Sequence, residues 1–163
     1  MQHKKLTVAA LCALLCGVYV SSAGATPPSA PPPVASDLSS GVLDDSDRPL
    51  LVVAQDRVAL TVAAPTTVAT FDLTYAPLQF SGWHSHPGIV VAVVKSGEVE
   101  RQTVTKHGRC VTERFHAGQS FTEVGPHFVR NPSSTVDAVL SITRIYPTSA
   151  TQARIDEPAP RCS

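Results

Sequence analysis

The stretch Gly82-Trp83-His84-Ser85-His86-Pro87-Gly88 sets two imidazoles two residues apart. On an extended strand side chains alternate faces, so His84 and His86 point one way and Trp83 and Ser85 the other. Two ring nitrogens on one face can chelate a single metal ion without distorting the backbone. Taken alone, such a pair is equally well a surface pair or a pair satisfied within a core. Farther along, His127 and Asn131 lie four residues apart and again share a face. If the two strands face each other, His127 supplies a third nitrogen. Three neutral imidazoles with open positions suit one divalent transition metal, with Fe, Zn, Ni, Cu and Mn as the candidates. Glu123 reads as an ordinary strand-end acid, with a general base or an extra ligand as the alternative. His107 and His116 sit in loop-like contexts, Lys106-His107-Gly108 and His116-Ala117-Gly118, and read as solvated. Trp83 reads as packing or interface rather than a platform for substrate. No Gly-rich phosphate loop, Cys-x-x-Cys pair or G-x-S-x-G elbow is present. No catalytic residue is identified.

The elements that must position these side chains are strands. Residues 50–54, 58–63 and 68–75 are short β-rich runs punctuated by Pro65 and Pro77. Residues 89–94 form an apolar run ending in the turn Lys95-Ser96-Gly97, and 98–104 return polar and alternating. Residues 111–115, 120–124, 128–130 and 136–146 complete the series. No segment of adequate length shows a helical period, and 14 prolines in 163 residues argue against a helical protein. Regularly spaced short strands predict an all-β sandwich or barrel with room for one domain.

Upstream of the strands the chain changes character twice. Residues 1–25 read as a signal peptide: Lys4 and Lys5 form a basic start, 6–20 an apolar stretch, and Ser22-Ala23-Gly24-Ala25 a cleavage site. An uncleaved anchor is the rival, although the apolar stretch is short for a bilayer span. A lipoprotein is disfavoured by Leu14 and Leu15 before Cys16. The expected destination is secreted or periplasmic. Residues 26–49, with Pro27, Pro28, Pro31, Pro32 and Pro33, read as a Pro/Ser-rich disordered spacer, with a proline-rich docking motif as the alternative. The barrel is expected over 50–147 and an irregular tail over 148–163. The formal net charge is zero, and loss of Lys4 and Lys5 leaves a slight acidic excess. Neither nucleic acid nor, after cleavage, a membrane is indicated as partner, while a small-molecule ligand is expected and a homodimer is left open. Cleavage also removes Cys12 and Cys16, leaving Cys110 and Cys162 in an oxidising compartment. An intrachain disulfide is expected, with two separate thiols or an interchain bridge as alternatives.

With these residues in view, the chain resembles the cupin superfamily. The family's first motif runs Gly, His-x-His, a Glu three or four residues on, and a Gly six further. His84, His86 and Gly97 stand at matching positions, and Gly82 lies nearer the histidines than usual. The second motif begins with Gly and ends in His-x-x-x-Asn. Gly118, His127 and Asn131 match it, with a segment about two residues short between Gly118 and His127. Small secreted bacterial cupins share the phrase Gly-Trp-His-Ser-His-Pro-Gly, a late barrel Cys and a Cys near the C-terminus. The resemblance implies a jelly-roll β-barrel holding one divalent metal through His84, His86 and His127. It implies a metal-dependent oxygenase or isomerase acting on a small organic substrate, or alternatively a non-catalytic module that binds a small ligand or the metal. The motif glutamate should fall at Val90 or Val91, and neither binds metal. Its loss is expected to weaken the hold on a hard cation such as Mn²⁺ and to favour Fe, Ni, Cu or Zn.

Overall fold

The structure, a computed structural model, describes residues 24–44, 50–55, 58–63 and 65–161. Among them there is no helix. The strands are β1 (Val34–Leu43), β2 (Leu50–Gln55), β3 (Val58–Ala63), β4 (Thr66–Tyr75), β5 (His84–Ser85), β6 (Ile89–Ser96), β7 (Glu98–Val104), β8 (Cys110–His116), β9 (Ser120–Glu123), β10 (His127–Arg130), β11 (Ala138–Pro147) and β12 (Ile155–Asp156). One five-stranded sheet has the order β1-β4-β11-β6-β9 and a second the order β12-β5-β10-β7-β8, while β2 and β3 form a separate hairpin. The fold is the all-β, two-sheet barrel that the strand pattern and the resemblance imply.

Period-two alternation decides what fills the interior. Along β6, Val90, Ala92 and Val94 are buried, and the residues between them are not. Ala138, Leu140 and Ile142 of β11 do the same, and Phe71 and Tyr75 of β4 join them from the long β4–β11 ladder. Phe121, Val99 and Val129 complete the core from β9, β7 and β10. At the β6–β7 turn Gly97 has φ +72°, and a Cβ there would lie 2.5 Å from the Asp137 carbonyl oxygen. Asn131 is buried at the end of β10, where its Nδ2 donates to the carbonyls of Tyr75, Ala76 and Val136 and its Oδ1 accepts from the Ser133 amide. It ties the loop after β10 to the end of β4.

Two stretches depart from the sequence reading. The expected spacer over 26–49 contains β1, whose ladder runs along β4 from Val34↔Thr74 to Leu43↔Thr66. An open β4 edge offers a row of unpaired backbone groups, and pairing with it orders a polar segment that has too little apolar surface to fold alone. The prolines before it are also engaged: the Ser29 amide donates to the Phe80 carbonyl, and Gln79 Nε2 donates to the Pro31 carbonyl. In the expected irregular tail, β12 pairs with β5, and Ala25 bridges Pro158. Residues 1–23 of the expected signal peptide, 45–49 of the spacer, and Cys162 lie outside the described residues.

Candidate metal centre

Antiparallel pairing builds the site. His127 opens β10 and is the direct ladder partner of His84 on β5, so the two rings lie side by side with centroids 4.2 Å apart. On its other side β5 is held by β12, where Asp156 pairs with His84. His86 follows two residues after His84, its ring 4.9 Å from that of His84 and 5.3 Å from that of His127. Gly82 sets the approach, with φ +70° and a backbone packed so closely that a Cβ would lie 2.2 Å from the Thr26 carbonyl oxygen. Trp83, on the opposite face, is buried 6.1 Å from Phe128, as packing requires.

Each imidazole is oriented by a backbone carbonyl at Nδ1. The contacts are His84 to Gly82 at 3.0 Å, His86 to Ala153 at 2.7 Å and His127 to Gly125 at 2.8 Å. A carbonyl oxygen only accepts, so Nδ1 carries the hydrogen in all three rings and each Nε2 presents a lone pair. This is the outer-shell arrangement that fixes the tautomer of metal-binding histidines. His127 is fully buried and His84 is 5 % exposed. Burial, then the neighbouring His127 and Arg154, push the His84 pKa down to about 3.

The fourth member is Glu123, and here the sequence reading is corrected. It is a buried acid aimed at the imidazoles rather than an ordinary strand-end residue, with Oε2 3.4 Å from His86 Nε2 and 3.3 Å from His127 Nε2. Ligand atoms of His84, His86, Glu123 and His127 all lie within 4.8 Å of one another. The β6–β9 register pairs Glu123 with Val90, the buried valine at the position where the first motif has its glutamate. Directly opposed residues share a face of the sheet. A carboxylate therefore reaches the site from the adjacent strand, and the expected loss of its charge does not occur. The signal in the sequence was parity: Phe121 is a core residue, so Glu123, two positions on, faces inward as well.

Lone pairs on Nε2 of His86 and His127 converge with a carboxylate, and both nitrogens are buried without a hydrogen-bond partner. Acceptors facing acceptors in a buried site call for a cation between them. The donor set, three neutral imidazoles and one carboxylate, suits a divalent transition metal. Beside it opens a cavity of about 170 Å³, lined by His84, His86 and Glu123, by the apolar Leu73, Leu140 and Ile142, by Tyr75 and Ser81, and by Arg144 and Arg154, with Pro28, Pro32 and Pro33 from the N-terminal segment. Burial, reinforced by Glu123, pushes the Tyr75 phenol well above its ordinary value, so it remains protonated. His107 is exposed, and His116 is exposed with Nδ1 2.9 Å from Glu98. Both lie outside the cluster, as the sequence reading has them.

No family model and no curated protein matches the chain. Solved structures do. An oxalate oxidase is 20 % identical, over 50 % of this chain and 46 % of that one, with a TM-score of 0.43. Oxalate decarboxylase from Bacillus subtilis at pH 4.6 is 15 % identical over 55 % of this chain and 23 % of its own, with a TM-score of 0.48. A further structure of that enzyme, studied for its Mn(II) centres, is 16 % identical over 55 % and 24 %, with a TM-score of 0.47. The chain thus spans under half the length of the first and about a quarter of the second. Each of these likenesses extends over about half of this chain.

Proposed function

We propose that the protein binds one divalent transition metal through His84, His86, His127 and Glu123, and uses it as an enzyme on a small organic substrate, as an oxygenase or isomerase. The observation that carries the reading is the convergence of three Nδ1-anchored imidazoles and a buried carboxylate with no donor among them. A bound metal supplies Lewis acidity toward a ligand oxygen. The protein's own backbone carbonyls orient the imidazoles, and the buried Glu123 supplies the carboxylate that faces them. With the carboxylate included, Mn and Fe stand beside Zn, Ni and Cu as candidates.

A non-catalytic ligand-binding module is the second reading. It is favoured by the cavity lining: apart from His84, His86 and Glu123, Tyr75 is its titratable neutral group and stays protonated, so no further acid–base pair is at hand. Turnover separates the two. Metal-loaded and chelator-treated protein would be offered small organic acids with oxygen uptake and product formation followed. Turnover lost on chelation and restored by metal supports the enzyme, whereas saturable binding with no turnover supports the module. The signal peptide, with export to the periplasm or beyond, and a Cys110–Cys162 disulfide belong to the same proposal.

A further inference from the structure

The cavity holds a cation that the metal reading does not use. Arg144 lies on β11, and the ladders pair it with Val90 on β6, which in turn pairs with Glu123 on β9. Arg144, Val90 and Glu123 therefore form one row across the sheet, with the Arg144 and Glu123 backbones two strand spacings, roughly 10 Å, apart. The guanidinium carbon lies 4.4 Å from the centre of the Phe71 ring, a cation–π contact that holds it in place. Its Nε is buried with no hydrogen-bond partner, and among the described residues no carboxylate forms an ion pair with it. Burial pulls its pKa down from the ordinary value, against Glu123. The second arginine of the lining is already engaged: Arg154 donates from Nη2 to the Ser81 carbonyl at 2.6 Å and from Nε to Asp156 at 2.8 Å.

A half-buried, unpaired guanidinium is costly unless something negative completes it. Its planar fork matches a carboxylate. We infer that Arg144 is the anion-recognition residue of this cavity, and that the ligand is a small organic carboxylate whose charged end rests on Arg144 while its other end reaches toward the histidine cluster. The inference rests on the proposed metal site for the second half of that statement and on Arg144 alone for the first. Leu73, Leu140 and Ile142 also line the cavity and give the rest of the ligand an apolar wall.

The test is a calorimetric titration of the full mature chain, Co²⁺-loaded and metal-free, with propionate and with its uncharged analogue propionamide. Propionate should be preferred in both forms. Arg144→Gln should erase the preference in the metal-free protein and weaken propionate binding to the Co²⁺ form on the order of ten- to a hundredfold. Arg144→Lys should restore part of it, and unchanged Co²⁺ stoichiometry in both variants would show that the barrel is intact. No preference for propionate in the metal-free wild type overturns the inference without recourse to any variant, as does full-strength propionate binding in Arg144→Gln. A wild-type chain that takes up no Co²⁺ yet prefers propionate through Arg144 would overturn the metal reading and uphold the anion subsite.

Discussion

A carboxylate that is 7 % exposed and faces two unprotonated ring nitrogens needs a positive charge close by. Glu123 therefore makes the sharpest residue-scale prediction. Glu123→Gln keeps the shape and removes the charge, and Mn²⁺ or Co²⁺ affinity measured by titration should fall by roughly an order of magnitude or more while the stoichiometry holds. Single alanine changes at His84, His86 or His127 should strip most of the metal. Because Val90 and Glu123 are ladder partners, the charge should also be portable. Val90→Glu alone sets a second buried carboxylate beside the first and should destabilise the barrel by several kcal/mol, order of magnitude. The double variant Val90→Glu/Glu123→Val should recover the stability and most of the metal affinity. The three histidines and Asn131 were legible in the sequence because their spacings are local and match known motifs. Glu123 was visible but misassigned: its inward direction follows from Phe121, whereas its neighbour across the ladder depends on a β6–β9 register that no local spacing encodes.

At the scale of elements, the site hangs on β5, two residues long and held between β10 and β12. So short a strand is positioned by its approach, where Gly82 turns at positive φ under the Thr26 carbonyl and offers its own carbonyl to His84 Nδ1. Gly82→Ala should cost about 1–3 kcal/mol in thermal unfolding and should weaken metal binding as well, because the carbonyl that aims His84 moves with the strained turn. An equal loss of stability with unchanged metal affinity would separate the turn from the site. The longer strands were legible from their β-branched runs. β1 was not, because Ser36, Asp37, Ser39, Ser40 and Gly41 carry little strand signal, and the edge of β4 supplies the order instead. β12 was hidden for the same reason, its pairing with β5 being set by the far end of the chain.

For the whole molecule, acid should act on the metal-free fold through His84. Its pKa in the folded protein is near 3, while an unfolded histidine takes its proton near 6.5. The unfolded state thus binds more protons between those values, so stability is full above about 6.5 and is lost as pH falls toward 3. Denaturant midpoints should decline across that window, and His84→Gln should flatten the decline. Proton competition for the imidazoles drives metal release in the same direction. Residues 24–43 and β12 both pack against the barrel, so the two ends of the described chain are structural parts of it. A Cys110–Cys162 bridge would anchor the later end, closing a loop of about fifty residues and adding roughly 4 kcal/mol in the chain-entropy model. Two free thiols per monomer, or a dimer that reduction dissolves, would contradict it. Elemental analysis of the purified protein beside His84→Ala, His86→Ala and His127→Ala tests the metal centre itself. About one transition metal per wild-type chain is expected, and little in any of the three variants. A full complement of metal in all three, or a folded wild-type chain that takes up none, would contradict it.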